Sequence, residues 1–175
     1  MRLKKVWAKT LCFEYPYTRR LVMHYITTAT LGKLFANTNP ENGIEIRHAI
    51  KNGHFSAHLD PLLRGIRVDC LGNSPLLPWS VFEAAVELMR TEVTHEVRSG
   101  SAIAGRVGSP QCPLDSIEGH IAVSVYNKDV GTHAFSRVAP VRALLQHVGI
   151  ADNRRGWVSL NPDWAANIRS RERHS

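Results

Sequence analysis

Between residues 113 and 160 the apolar positions recur first at helical and then at strand spacing. Ile117, Ile121, Ala122 and Val125 fall on one helical face, with Glu118, Ser124 and Tyr126 turned more outward, which predicts a helix of about three turns. Asp115 is placed to cap its start, and Glu118, three residues on, to reach back to the cap's own amide, with Pro113 marking the boundary. Residues 127–131 collect turn formers and end in Gly131, after which Thr132 can cap a short second helix. Pro140 suits the first position of a third helix over residues 140–148, whose buried stripe is Val141, Leu144, Leu145 and Val148 and whose stop is Gly149. Residues 150–160 then read as a hairpin, with Asn153, Arg154, Arg155 and Gly156 at the tip and residues 157–160 as the returning strand.

The outer face of that third helix would carry Arg142 and Gln146, one turn apart, with His147 beside them and Arg137 just upstream. An arginine fork pairs with guanine and a glutamine amide with adenine, so these side chains suit base readout, while Arg154 and Arg155 at a hairpin tip suit phosphates or a minor groove. In element order and turn chemistry, residues 115–160 resemble the winged helix-turn-helix DNA-binding superfamily. The resemblance makes residues 140–148 the recognition helix and residues 150–160 the wing. It covers about a quarter of the chain and carries no invariant motif, and winged helices also serve as protein-binding and structural modules. The other reading of the same residues is a small helical bundle closed by a hairpin with solvated arginines.

Elsewhere the pattern is more mixed. Residues 3–15 predict a strand, residues 20–36 a helix despite β-branched Ile26, Thr27 and Thr28, and residues 37–43 a loop. Short helices are expected over 44–51 and 59–64, and a strand over 66–71. Residues 73–78 form a Pro-containing connector to a helix over 80–92, where Ser80 and Glu83 repeat the capping-box spacing and Phe82, Ala85, Val86 and Met89 give the buried stripe. Residues 99–113 are rich in glycine and proline and read as a linker or a functional loop. The expected fold class is α+β and helix-rich: a basic mixed α/β N-terminal region (1–72), a capped helix with its linker (73–112), the winged-helix module (113–162) and a basic, frayed tail (163–175).

Charge complicates a model in which the winged helix acts alone. Of a net +7 over 175 residues, residues 1–72 contribute +6, residues 73–112 −1 and residues 113–175 +2. The N-terminal excess lies in Arg2, Lys4, Lys5 and Lys9 and in Arg19 and Arg20, interleaved with Trp7, Phe13, Tyr15 and Tyr17. Cations among aromatic rings suit a nucleic-acid surface; an amphipathic strand accounts equally well for residues 6–13. Cys12, Cys70 and Cys112 lie far apart without a Cys-x-x-Cys pair, as expected for free thiols in a reducing compartment. With no segment approaching the length of a bilayer span and no secretory signal, a cytoplasmic protein is expected.

Histidine raises an enzymatic alternative. His48, His54, His58 and Asp60 form the densest set of potential ligands, and two histidines with a carboxylate could hold a divalent metal for phosphodiester hydrolysis. The spacing matches no metal motif, however, and Gly53 and Pro61 oppose a long helix through it. Phosphate-binding loops, dinucleotide fingerprints, a Gly-x-Ser-x-Gly elbow and a restriction-type acidic triplet with lysine are all missing from the sequence. The sequence therefore points to double-stranded DNA binding, without cofactor and without membrane. It would act as a regulator or as a recognition component of a mobile-element or phage-defence system, with Arg137, Arg142, Gln146, His147, Arg154, Arg155, Lys4, Lys5, Arg19 and Arg20 on the DNA. A homodimer or a protein partner is compatible with this. A metal-dependent nucleic-acid-processing enzyme at His54, His58 and Asp60, and a protein-binding adaptor, are the alternatives.

Overall fold

The computed structural model describes residues 15–48 and 52–173, with side chains described between Tyr25 and Ser170. Lys4, Lys5 and nearly all of the strand expected over 3–15 lie outside the described residues. Within them the chain is mixed α+β, with five α-helices and two antiparallel sheets.

Helix α1 spans Tyr15–Phe35 and covers the helix expected from residue 20. A four-stranded meander follows in the order β1 (Ile44–Arg47), β2 (His54–Leu59), β3 (Gly65–Val68) and β4 (Leu76–Pro78). Of the two short helices expected over 44–51 and 59–64, the first is a strand over Ile44–Arg47 within its described residues and the second is not formed. Period 2 wins there, because Ile46, Phe55 and Ala57 are buried while Glu45, Arg47 and His54 are exposed. Residues 60–64 form the β2–β3 turn, and Gly65 then passes so close to the Leu77 carbonyl that a Cβ would collide with backbone. The strand expected over 66–71 stops at Val68, and Asp69–Leu71 is a 3₁₀ turn.

Helix α2 (Trp79–Thr91) falls where expected, but its capping box is not used. Its N-cap is Pro78, with no side-chain cap, and Glu83 instead accepts a hydrogen bond from Thr28 Oγ1 at 2.9 Å, tying α2 to α1. Strand β5 (Glu96–Arg98) was not legible as an element. Helix α3 (Ile117–Ser124), helix α4 (Val138–His147), β6 (Ala151–Arg154) and β7 (Trp157–Leu160) complete the C-terminal half, and the second sheet has the order β5-β7-β6. The expected short helix after Thr132 is absent. Residues 125–137 cross instead as an irregular segment, pinned by Val107 N–H to the Thr132 carbonyl at 3.0 Å and by Gly131 N–H to the Val107 carbonyl at 2.8 Å. The basic tail is corrected too: α5 (Pro162–Arg173) buries Ala165 and Ile168.

A single hydrophobic core runs through both halves. Helix α2 lies at its centre, packing against α1, α3, α4 and β7 and burying Val81, Phe82, Ala85, Val86 and Met89. Around it the N-terminal sheet contributes Ile46, Phe55, Ile66 and Leu77, and the C-terminal half Ile117, Ile121, Leu144, Leu145 and Val158. Each such side chain stabilises by roughly 1.5–3 kcal/mol relative to exposure. This packing fixes where the second sheet and α4 present themselves.

Candidate nucleic-acid interface

The β6–β7 hairpin is closed by Arg155 and Gly156, with Arg154 opposite Trp157 and Gly156 at a φ of 80°. On its other side β7 pairs with β5, where Arg98 also lies opposite Trp157. Directly paired antiparallel residues share a face, so Arg98, Trp157 and Arg154 form one row across three strands. All three are exposed, and the Arg98 guanidinium lies 5.6 Å from the Trp157 ring centroid. Two residues further from the tip the same face carries Glu96, Ser159 and Asp152. This sheet face is thus graded, with three arginines and an aromatic ring at the hairpin tip and two carboxylates at its base. Arg154 and Arg155 stand at the tip as the sequence suggests. Arg98 and Trp157 were missed as site residues, since the strand bringing Arg98 alongside is only three residues long.

Arg142 does not face outward. It is 4 % exposed, and its guanidinium donates to Asn153 Oδ1 at 2.8 Å, the Arg154 carbonyl at 2.9 Å and the Trp157 carbonyl at 3.1 Å. Asn153 returns a bond from Nδ2 to the Arg142 carbonyl at 3.0 Å and another to Gln146 Oε1 at 3.0 Å. Burial lowers the Arg142 pKa to about 10, which leaves it cationic at neutral pH. Arg142 is a brace that holds the inner side of the β6–β7 hairpin against α4.

Seven residues of α4 are buried: Val138, Pro140, Val141, Arg142, Ala143, Leu144 and Leu145. The helix packs on β1, α2 and β6, so base readout by a free outer face is not available along most of its length. Gln146 and His147 are exposed at its C-terminal end, with the Gln146 side-chain Oε1 already accepting from Asn153 Nδ2. At the other end Arg137 folds back over Tyr126, 4.2 Å from the ring centroid, and donates to the Phe135 carbonyl at 3.1 Å and to Ser74 Oγ at 3.2 Å. It links the connector before α2 to the turn before α4.

The capping expected of Asp115 and Glu118 is also redistributed. Ser116 caps α3, accepting from Gly119 N–H at 3.2 Å. Glu118 is buried and accepts from Ser136 Oγ at 2.8 Å, Arg137 N–H at 2.9 Å and Val138 N–H at 3.1 Å, so its carboxylate caps α4. Burial pushes its pKa up, against the pull of those hydrogen bonds. Arg19 and Arg20 lie in α1, in the stretch whose side chains are not described.

Compared with known proteins, the chain matches no family model, no curated protein and no solved structure.

The histidine set is not assembled as a metal centre. His54 is exposed, and Asp60 is fully buried with both carboxylate oxygens engaged by Arg64 and Arg67. Among the described residues no group of three His, Cys, Asp or Glu side chains is placed to hold a metal ion. Cys70 and Cys112 are free, and among the described residues no helix is long and apolar enough to cross a membrane.

Proposed function

We propose that the chain binds double-stranded DNA through a winged helix-turn-helix running from α2 to β7, with the wing as the principal contact. The observation that carries this is the row of Arg98, Trp157 and Arg154 across the second sheet, continued by Arg155 at the tip. The order helix, strand, helix, helix, strand, strand from α2 onward, with the sheet order β5-β7-β6, supports the winged-helix part of the reading. The arginines supply phosphate contacts or enter a minor groove, and the Trp157 ring adds an apolar surface between them.

Because Arg142 is a brace and most of α4 is covered, binding rests on backbone and groove shape more than on base-edge hydrogen bonds. Gln146 and His147 are the α4 side chains left to touch a base. A cytoplasmic setting goes with this reading. The decisive experiment is binding to random-sequence duplex at several salt concentrations, wild type beside Arg154→Ala/Arg155→Ala. A steep salt dependence whose log–log slope becomes shallower by about 1 to 2 units in the double variant supports phosphate contacts at the wing. Absence of salt-dependent binding sinks the proposal.

The burial of α4 favours one second reading, a protein-binding adaptor that uses the module without DNA. Its mark is function retained after both wing arginines are neutralised.

A further inference from the structure

The face of the N-terminal sheet turned away from the core carries a different constellation. On β2 the side chains alternate, with Phe55 and Ala57 buried and His54, Ser56 and His58 on the opposite face. Arg67 of β3 is the register partner of His58 and therefore lies beside it on that outer face. Two residues beyond His58, Asp60 is fully buried beneath the side chains it binds.

Asp60 sets the orientation of Arg67. Its Oδ1 accepts from Arg67 Nε at 2.7 Å, while Oδ2 accepts from Arg64 Nε at 2.9 Å and from the Leu62 N–H at 3.2 Å. Among the described residues this Nε contact is the only hydrogen bond that the Arg67 guanidinium makes. Its two Nη groups are left over, on a side chain one-third exposed. Arg67 lines a cleft of about 460 Å³ together with His58, Ser56 and Asp69. Pro40, Pro61 and Pro75 wall the cleft with backbone of restricted φ. Asp69 turns Oδ1 to the Ser56 N–H at 3.1 Å, and with its carboxylate on the cleft wall the charges of Asp60, Asp69, Arg64 and Arg67 balance, so attraction for an anion rests on the Arg67 fork and not on a net positive field. Burial and the neighbouring Arg67 cation both lower the His58 pKa, so at neutral pH His58 is a neutral imidazole with one N–H to donate.

We infer that this cleft is an oxyanion site for a phosphoryl group, with the Arg67 Nη fork as its main donor and the His58 imidazole and Ser56 hydroxyl beside it. A guanidinium already held at one edge loses little freedom when its other edge binds, and a fork of N–H donors matches two phosphoryl oxygens. The metal-site expectation for these histidines is thereby reversed, from a cation held by a carboxylate to an anion held by an arginine that the carboxylate orients. The site does not depend on the wing. Its phosphoryl group can come from a small phosphate ester or from a nucleic-acid backbone.

The test is a titration of the full chain, followed by NMR of the arginine Nε–Hε and histidine ring signals. The probes are inorganic phosphate, adenosine 5′-monophosphate, and a short duplex without terminal phosphates. The inference expects saturable shifts of the Arg67 and His58 signals with at least one probe. Saturation by the first two assigns a small ester, and saturation by the duplex alone assigns the backbone. Arg67→Gln should weaken that binding about tenfold, the loss of one charge-assisted pair. His58→Ala, which removes a partly exposed side chain from the outer face of the sheet, should weaken it severalfold. Shifts that never saturate, or a remaining Arg67 or His58 signal that saturates at the wild-type concentration in both variants, overturn the inference. Wing variants should leave the phosphate titration unchanged, so failure here and failure of the DNA reading are separately visible.

Discussion

Glu118 on α3 accepts the backbone N–H of Arg137 at 2.9 Å, so the N-terminus of α4 is capped by a carboxylate from the preceding helix. The same carboxylate takes the Val138 N–H at 3.1 Å and the Ser136 hydroxyl at 2.8 Å. Residues 125–137 contain no helix that could orient α4, and Glu118 does this from a distance in sequence. Glu118→Ala leaves two amides and a hydroxyl without their acceptor at a buried helix start, and should cost roughly 3 kcal/mol. Urea unfolding measures it; a loss below about 1 kcal/mol would mean that water replaces the cap.

Ionisation of Glu118 should also make stability depend on pH in an unusual direction for a carboxylate. Its folded pKa lies above the ordinary 4.5, chiefly because of burial. As pH rises from 4.5 toward that folded value, the unfolded chain gives up its proton first, so the contribution of this group to stability falls. Glu118→Gln cannot titrate. The stability of the wild type relative to this variant should therefore decline between acidic and neutral pH and level off above the folded pKa. A constant difference would show that Glu118 ionises normally.

Arg142 separates bracing from reading. If its guanidinium holds the β6–β7 hairpin, Arg142→Ala strips donors from Asn153 Oδ1 and from the Arg154 and Trp157 carbonyls, and should destabilise by roughly 2–4 kcal/mol. Hydrogen exchange of the β6–β7 amides should quicken more than that of α2. A base-reading arginine would give the opposite result, with stability unchanged and affinity for one DNA sequence reduced.

These cases also show how far the sequence could be read. Helices α1, α2, α3 and α4 and the closing hairpin were legible because each has a stripe several residues long or a strong turn, such as Gly149 and the Arg155-Gly156 pair. Strands β1 and β2 were not. Runs of four and six residues fit helical and strand spacing alike, and pairing with neighbours, invisible along the chain, decided the outcome. Arg154 and Arg155 mark the hairpin tip along the sequence, yet Arg98 arrives from a strand more than 50 residues earlier, through register alone. Arg142 differs from its sequence expectation for a related reason: it stands off the apolar stripe of α4, where a polar residue is ordinarily exposed, yet the hairpin folds back and covers it.

Asp60 offers the last and sharpest contrast with Glu118. Hydrogen bonds from Arg64, above all, and from Arg67 hold its carboxyl well below the ordinary 3.8, in spite of burial. The folded state therefore binds the proton more weakly than the unfolded chain. The stabilisation is present above 3.8 and is lost as pH falls through the acidic range below it. Asp60→Asn keeps the volume, and one amide oxygen can still serve Leu62 N–H or one guanidinium, but the charge and the second acceptor are gone. The cost should be about 2 kcal/mol at neutral pH, moderated because Arg64 and Arg67 reach water, and it should shrink at strongly acidic pH. Thermal unfolding across the acidic range checks both parts. If the gap between wild type and variant stays constant as pH falls, the Asp60 pair does not titrate as the buried anchor described. If the gap closes, the anchor that orients Arg67 toward the cleft is electrostatic, and phosphate binding there should weaken over the same range.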